Sequence, residues 1–186
     1  MDYKVEEIED QLVATVEQAA ADSTTELYGI QNIATHTGTL DPAMWAANTL
    51  QGNTQYFEGL IQQLPFIWIR YNGRKMLSHD ESYQEYIHDL SWTFYVAASS
   101  LRAKQEAQRS CYGMLRGIFD AIHGKWPYAS TVPSILSQLT GNQITNPNFK
   151  AVSPIIAADG QDEKLIGQQP LIAAYQTTYT LSLSTA

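Results

Sequence analysis

The sequence predicts an α+β fold, with an antiparallel or mixed sheet of four to five strands and two main helices packed on one face. Three observations point to it. Residues 2–21 and 101–123 repeat apolar positions at three- and four-residue steps, the spacing of helices with one buried stripe. Pro65–Tyr71 and Asp89–Ala98 read as strands, the first apolar on both faces and the second alternating. The elements run helix, strands, hairpin, helix, long loop, strands. A single domain over 1–186 accommodates them, with long loops near 34–55 and 126–148.

The first helix rests on Val5, Ile8, Leu12, Val16 and Ala19 or Ala20. Its early acids Asp2, Glu6, Glu7, Glu9 and Asp10 meet the positive end of the helix dipole, and Asp22-Ser23 stops it. Thr24–Ile33, with Leu27, Tyr28, Ile30 and Ile33, is expected to form a strand. In the Gly/Thr/Asn-rich passage that follows, Asp41-Pro42 is a helix-start signal before Met44-Trp45-Ala46-Ala47, and 55–63 suits another short helix. Pro65–Tyr71 is the strongest strand and is expected to be central. Asn72-Gly73 behind it favours positive φ and predicts a hairpin turn. Residues 74–87 read as a polar connector. In Asp89–Ala98 the residues Leu90, Trp92, Phe94, Val96 and Ala98 share a face.

The second helix has a stripe of Ala103, Ala107, Cys111, Met114 or Leu115, Ile118 and Ile122, while Arg102, Lys104, Glu106, Arg109 and Arg116 stay wet. Gly113 and Gly117 each cost about 1 kcal/mol of helix propensity, tolerable where another backbone comes close, and Gly124 is a good stop. Residues 126–148, interrupted by three prolines, read as a long loop with a short helix near 134–139, a length typical of functional loops or assembly arms. Phe149–Ala157 and Leu171–Leu183 are expected as strands around a polar tip at 159–163. The last places Leu171, Ala173, Tyr175, Tyr179, Leu181 and Leu183 on one face against a wet face of Gln176, Thr178, Thr180, Ser182 and Ser184.

Composition narrows the function. The chain is 44% hydrophobic and carries 19 acids against 11 bases, a net charge of −8. That excludes general disorder and makes phosphate-neutralising nucleic-acid binding a poor fit. The lone Cys111 excludes an internal disulfide, and on an apolar stripe it reads as a buried, unreactive thiol. The longest apolar run, Leu64–Ile69, is far short of the about twenty residues of a membrane span, and the acidic start does not resemble a signal peptide, so a protein made and kept in a cytoplasm is expected.

No GxxxxGK[ST], GxGxxG or GxSxG motif occurs. The repeated dipeptides His79-Asp80 and His88-Asp89 contain legitimate metal ligands, but no spacing such as His-x-x-x-His supports them, and no metal or cofactor is assigned. His36 adds nothing to this set, and His123 reads as a cation at a helix C-terminus. The carboxylate pairs Glu6-Glu7, Glu9-Asp10 and Asp162-Glu163 read as solvated acids. Arg102, Lys104, Arg109 and Arg116, interleaved with Glu106 and Asp120, read as a solvent or salt-bridging interface face. Twenty aromatic residues exceed what one core needs, and loop aromatics often anchor protein contacts. Trp45, Tyr56, Arg102, Arg109, Trp126 and Tyr128 are therefore the candidate interface residues.

The stripe Val5, Ile8, Leu12 and Val16, the strand Pro65-Phe66-Ile67-Trp68-Ile69 and the strand-then-helix unit from Leu90 to Gly124 resemble, in order and spacing, the Mu-like phage tail proteins of the gp37 family. That unit contains Trp92-Thr93-Phe94-Tyr95-Val96-Ala97-Ala98, Arg102 and Tyr112-Gly113-Met114-Leu115, and the strand Tyr175–Leu183 completes the likeness. The family is regarded as tail terminators, or tail completion proteins. The resemblance implies a non-enzymatic virion protein at the tail–neck junction. It would form a homohexameric ring on the head-proximal end of the tail tube, stop tube polymerisation, and contact the tail tube protein and a neck or connector protein, with the sheath protein as a further candidate partner. Viral DNA would pass through without specific binding. Six copies at −8 each carry about −48, so an acidic or neutral lumen is expected, with most bases at subunit contacts. A neck or head-completion protein is the alternative, and a small metal-dependent enzyme using His79, Asp80, His88 and Asp89 a more distant one.

Overall fold

The computed structural model describes residues 4–36, 63–80, 85–123, 143–144, 148–149, 153–154 and 171–185. Two helices, α1 (Val5–Ala21) and α2 (Lys104–His123), accompany the strands β1 (Asn32–Thr35), β2 (Phe66–Asp80), β3 (Glu85–Ser100), β4 (Gln143–Ile144), β5 (Asn148–Phe149), β6 (Ser153–Pro154) and β7 (Leu171–Thr185). The fold is α+β with a mixed sheet. β1 runs parallel to β2, while β2–β3 and β3–β7 are antiparallel. The two-residue strands β4, β5 and β6 pair in succession along the other edge of β7, so together they occupy a fifth position.

α1 forms where the apolar spacing requires. Ile8, Leu12, Val16, Ala19 and Ala20 are buried, and Glu6 and Glu7 occupy the first turn, where the dipole favours carboxylates. Asp22 ends the helix. Its Oδ1 accepts the N–H and hydroxyl of Thr24 at 2.9 and 2.7 Å, and these bonds hold its carboxyl below the usual range.

The strand expected over Thr24–Ile33 is instead a run of turns, and the strand β1 begins only at Asn32. Side-chain chemistry decides this against β propensity. The Thr25 hydroxyl lies 2.5 Å from Ala19 O and 3.0 Å from Asp22 O, and it accepts the Leu27 N–H at 3.3 Å. Gly29 at φ +83 then turns its N–H onto Ala20 O, a conformation glycine adopts without steric cost. The turns carry Leu27 into the core, fully buried against α2. Gly117 is needed there, but what approaches it is the Leu27 side chain, not another backbone as expected.

β2 is central, as predicted, lying between β1 and β3. The predicted hairpin turn at Asn72-Gly73 is overturned. The strand continues to Asp80, and the register slips by one residue between Tyr71 and Gly73, with Gly73 at φ +112. A bulge and a tight turn both use a positive-φ glycine, so the dipeptide alone does not separate them. The expected connector at 74–87 is likewise mostly strand: Arg74–Asp80 pairs with Glu85–Leu90. Backbone ladder bonds stabilise this far part of the hairpin, which needs no apolar alternation.

One core joins α1, α2 and the sheet. It contains the buried stripes of both helices, Ile67 and Ile69 of β2, Leu90, Trp92, Phe94, Val96 and Ala98 of β3, and Ala173, Tyr179, Leu181 and Leu183 of β7. α1 packs on α2, β1 and β2, and α2 on β3 and β7. The opposite side of the sheet buries a smaller cluster of Phe66, Tyr95, Ala97, Ile172 and Ala174, flanked by Leu64 and Trp68. The predicted wet face of β7 is half-buried at Gln176, Thr178 and Ser182, while Thr180 is buried. Of the strand expected over Phe149–Ala157, Phe149 and Ser153–Pro154 are paired. The short helices expected near 41–47, 55–63 and 134–139, the loops near 34–55 and 126–148 beyond their described residues, the stop at Gly124 and the tip at 159–163 lie outside the described residues.

Candidate assembly surface

The solvent side of α2 carries a stripe that the apolar reading of this helix passed over. Arg109, Tyr112, Arg116 and Phe119 follow one another at three- and four-residue steps, which places them on one face. Tyr112 is 53% exposed and Phe119 40%, against nearly complete burial of the other large aromatics of the core. Two sheet residues hold these rings in place. The Tyr112 hydroxyl lies 3.0 Å from that of Tyr175, with ring centroids 5.2 Å apart. Phe119 packs on His123 at 4.4 Å, and His123 in turn on Tyr179 at 5.5 Å. A fixed orientation lowers the entropy lost when an aromatic side chain enters an interface.

The arginines divide into two kinds. Arg116 pairs with Glu26 at 3.3 Å and lies 3.9 Å from Asp120. Arg109, on α2, and Arg102, in the bend before it, are exposed and have no ion pair among the described residues. Both were predicted interface residues. The other four, Trp45, Tyr56, Trp126 and Tyr128, lie outside the described residues. Tyr112 and Phe119 were not singled out from sequence, although their steps from Arg109 and Arg116 were visible there.

On the opposite side of the sheet a second aromatic group lines β1 and β2. His36 stacks on Trp68 at 4.8 Å and 13°, and Trp68 on Phe66 at 4.0 Å and 15°. Burial and the neighbouring Arg70 hold the His36 imidazole below its usual range, favouring the neutral ring. Arg70 reaches Asn72 Oδ1, and Asn72 Nδ2 donates to Thr93 Oγ1 at 2.8 Å, whose partner across β7 is Thr178 at 3.2 Å. This polar row crosses three strands at the bulge, so Asn72 serves the sheet rather than a turn.

The chemically reactive groups are largely sequestered. Cys111 is fully buried, its thiol donates to Ala173 O at 3.2 Å, and burial pushes it up to about 12. His88 belongs to the core side of β3, whereas Asp89 faces away and accepts the Ser182 hydroxyl at 2.7 Å. Adjacent strand residues point to opposite faces, so His88 and Asp89 do not converge on one ion. Among the described residues no group of three or more His, Cys, Asp or Glu could hold a metal. His79 and Asp80 lie in β2, and their side chains lie outside the described residues. His123 ends α2 as predicted, yet burial lowers its basicity, so the expected C-terminal cation is a ring biased toward neutrality. No described helix is long and apolar enough to cross a membrane.

No family model matches the chain, and no curated protein matches it.

Proposed function

We propose that this protein is a structural assembly subunit, a phage tail terminator that forms a ring on the head-proximal end of a tail tube. The observation that carries the reading is the stripe Arg109–Tyr112–Arg116–Phe119, which presents oriented aromatic rings and arginines to solvent. Tyr, Phe and Arg are enriched in protein interfaces relative to the rest of a surface. The element order agrees with the resemblance: an N-terminal amphipathic helix, a buried strand at Phe66–Ile69, a strand-then-helix unit and a long late strand.

In this reading the chain works by shape. A ring built by one repeated contact closes when the rotation between neighbours divides the circle. Its tube side copies the contact that a further tube ring would make. Its neck side does not, so polymerisation stops there. The net charge of −8 per copy would keep a DNA-conducting lumen from adhering to phosphate, provided that bases sit at subunit contacts. The exposed Arg102 and Arg109 are suited to that place. The partners are further copies, the tail tube protein and a neck or connector protein, and the location is the virion.

Deletion of the gene from its phage genome, followed by electron microscopy of the particles, tests the reading. Overlong tails without heads are expected. Normal-length tails that fail to join heads would make the protein a neck component instead, and unaltered particles would remove it from tail assembly altogether.

A further inference from the structure

We infer that the exposed basic and aromatic flank of α2 docks on the acidic face of α1 in a second copy of this chain, head to tail. Charge complementarity carries the inference. On α1 the exposed acids Glu6, Asp10 and Glu17 have no ion pair among the described residues, and the described salt bridge of this helix joins Lys4 to Glu7. Burial, followed by the charges of Asp10 and Glu6, raises the affinity of Glu9 for its proton. Like charges are thus crowded on one helix, with Lys4 the cation paired there among the described residues. On the other side, Arg102 and Arg109 are cations with no ion pair among the described residues.

α1 contacts β1 and β2, α2 contacts β3 and β7, and the two helices also contact each other, so they lie side by side across the sheet order β1–β2–β3–β7. Glu26, in the turn after α1, takes Arg116 of the stripe; Glu6, Asp10 and Glu17 on α1, and Arg102 and Arg109 at α2, are left exposed. A contact of α2 with α2 would bring arginines together, whereas a contact of α2 with α1 of another copy joins opposite charges, and its heterologous form leaves one acidic and one basic face open for the next copy. Within the terminator reading this names the contact that builds the ring. The pairing of α2 with α1 stands on the charges, while its head-to-tail form and closure into a ring rest on that reading.

Sedimentation velocity of the purified protein tests it. The wild type is expected to self-associate at low ionic strength, and less so as salt rises from about 0.05 to about 0.5 M, because exposed charges are screened. Two doubly substituted chains divide the faces: Arg102→Glu with Arg109→Glu, and Asp10→Lys with Glu17→Lys. All four positions are exposed, and circular dichroism melting of each variant against wild type verifies folding. Each variant alone is expected to weaken association at least about tenfold. An equimolar mixture is expected to recover it, because the reversed faces again complement one another. A wild type that stays monomeric at roughly 1 mM in low salt, an α1 variant that associates normally, or a mixture that fails to recover would each overturn the inference. Failure here is distinguishable from failure of the terminator reading. Overlong tails on gene deletion with charge-insensitive association would overturn the contact and leave the function standing. Charge-dependent association with normal tails would do the reverse.

Discussion

Leu27 fills the space in which residue 117 would carry a side chain. A Cβ built at Gly117 would lie 2.6 Å from Leu27 Cγ and 2.7 Å from its Cδ2. The branch point of a fully buried leucine has little room to retreat, so the turn after α1 and the middle of α2 hold each other in place.

Gly117→Ala is therefore expected to destabilise the protein by up to about 2 kcal/mol. Overpacking costs roughly 1–3 kcal/mol, and the gain in helix propensity, about 1 kcal/mol, offsets only part of it. Four residues earlier the sign reverses. Among the described residues a Cβ at Gly113 meets only Glu26 Oε2, at 3.4 Å, so Gly113→Ala is expected to stabilise by about 0.5–1 kcal/mol. Urea unfolding of the two variants side by side checks both signs.

The turn that delivers Leu27 depends on one hydroxyl. Thr25→Val keeps the shape and removes the bonds to Ala19 O, Asp22 O and the Leu27 N–H. A loss of about 1–2 kcal/mol is expected, since the buried backbone groups lose a partner. Thr25→Ser keeps the hydroxyl and should cost less. Equal losses in the two variants, measured by thermal unfolding, would show that packing, not hydrogen bonding, matters at this position.

Stability is expected to fall on the alkaline side from about pH 9. The folded protein keeps the Cys111 proton up to about 12, against an ordinary value of 9.0, and the Tyr175 proton up to about 12, against 10.0, chiefly through burial. Both pKa values are raised on folding, so the contribution is complete below the unfolded values. It is lost as pH rises through 9 to 12 for Cys111 and through 10 to 12 for Tyr175. The limiting slope is about 1.4 kcal/mol per pH unit for the buried Cys111, and less for Tyr175, whose partial exposure lets solvent screen it. Urea midpoints between pH 8.5 and 11 should decline from a higher pH in Cys111→Ala than in wild type.

On the acid side the sign is opposite. His36, His88 and His123 are all less basic than a free histidine, mainly through burial, with Arg70 beside His36 and Arg74 beside His88 adding to it. The unfolded chain protonates them near 6.5 while the folded chain resists. Their contribution is present above that pH and is lost as pH falls below it. Proton NMR titration should place all three imidazoles below 6.5, and the urea midpoint should be lower at pH 5 than at pH 7.

The helices and central strands were legible because burial imposes a period on them. The stripes of α1 and α2, and the face shared by Leu90, Trp92, Phe94, Val96 and Ala98, could be read from spacing alone. What escaped was decided by other forces. Leu27, Tyr28 and Ile30 look like strand residues, but the Thr25 hydroxyl and the positive φ of Gly29 bend the chain there. Asn72-Gly73 signals a positive φ correctly and cannot say whether the chain reverses or bulges. Arg74–Asp80 has no apolar alternation, because its pairing with β3 rests on backbone bonds. In the candidate surface, exposed arginines were expected from their polar setting. Tyr112 and Phe119 were not, because interface aromatics were expected in loops and these two lie on a helix.

The position of β7 has a consequence for the chain during synthesis. Its register against β3 joins residues as distant as Tyr86 and Thr185, and it also supplies Ala173, Tyr179, Leu181 and Leu183 beneath α2. At roughly 5–20 residues per second a ribosome takes several seconds to travel from α2 to β7. Throughout that delay the part of α2's apolar side that β7 covers, and one margin of β3, have no covering, and a chaperone that holds nascent chains would find its handle there.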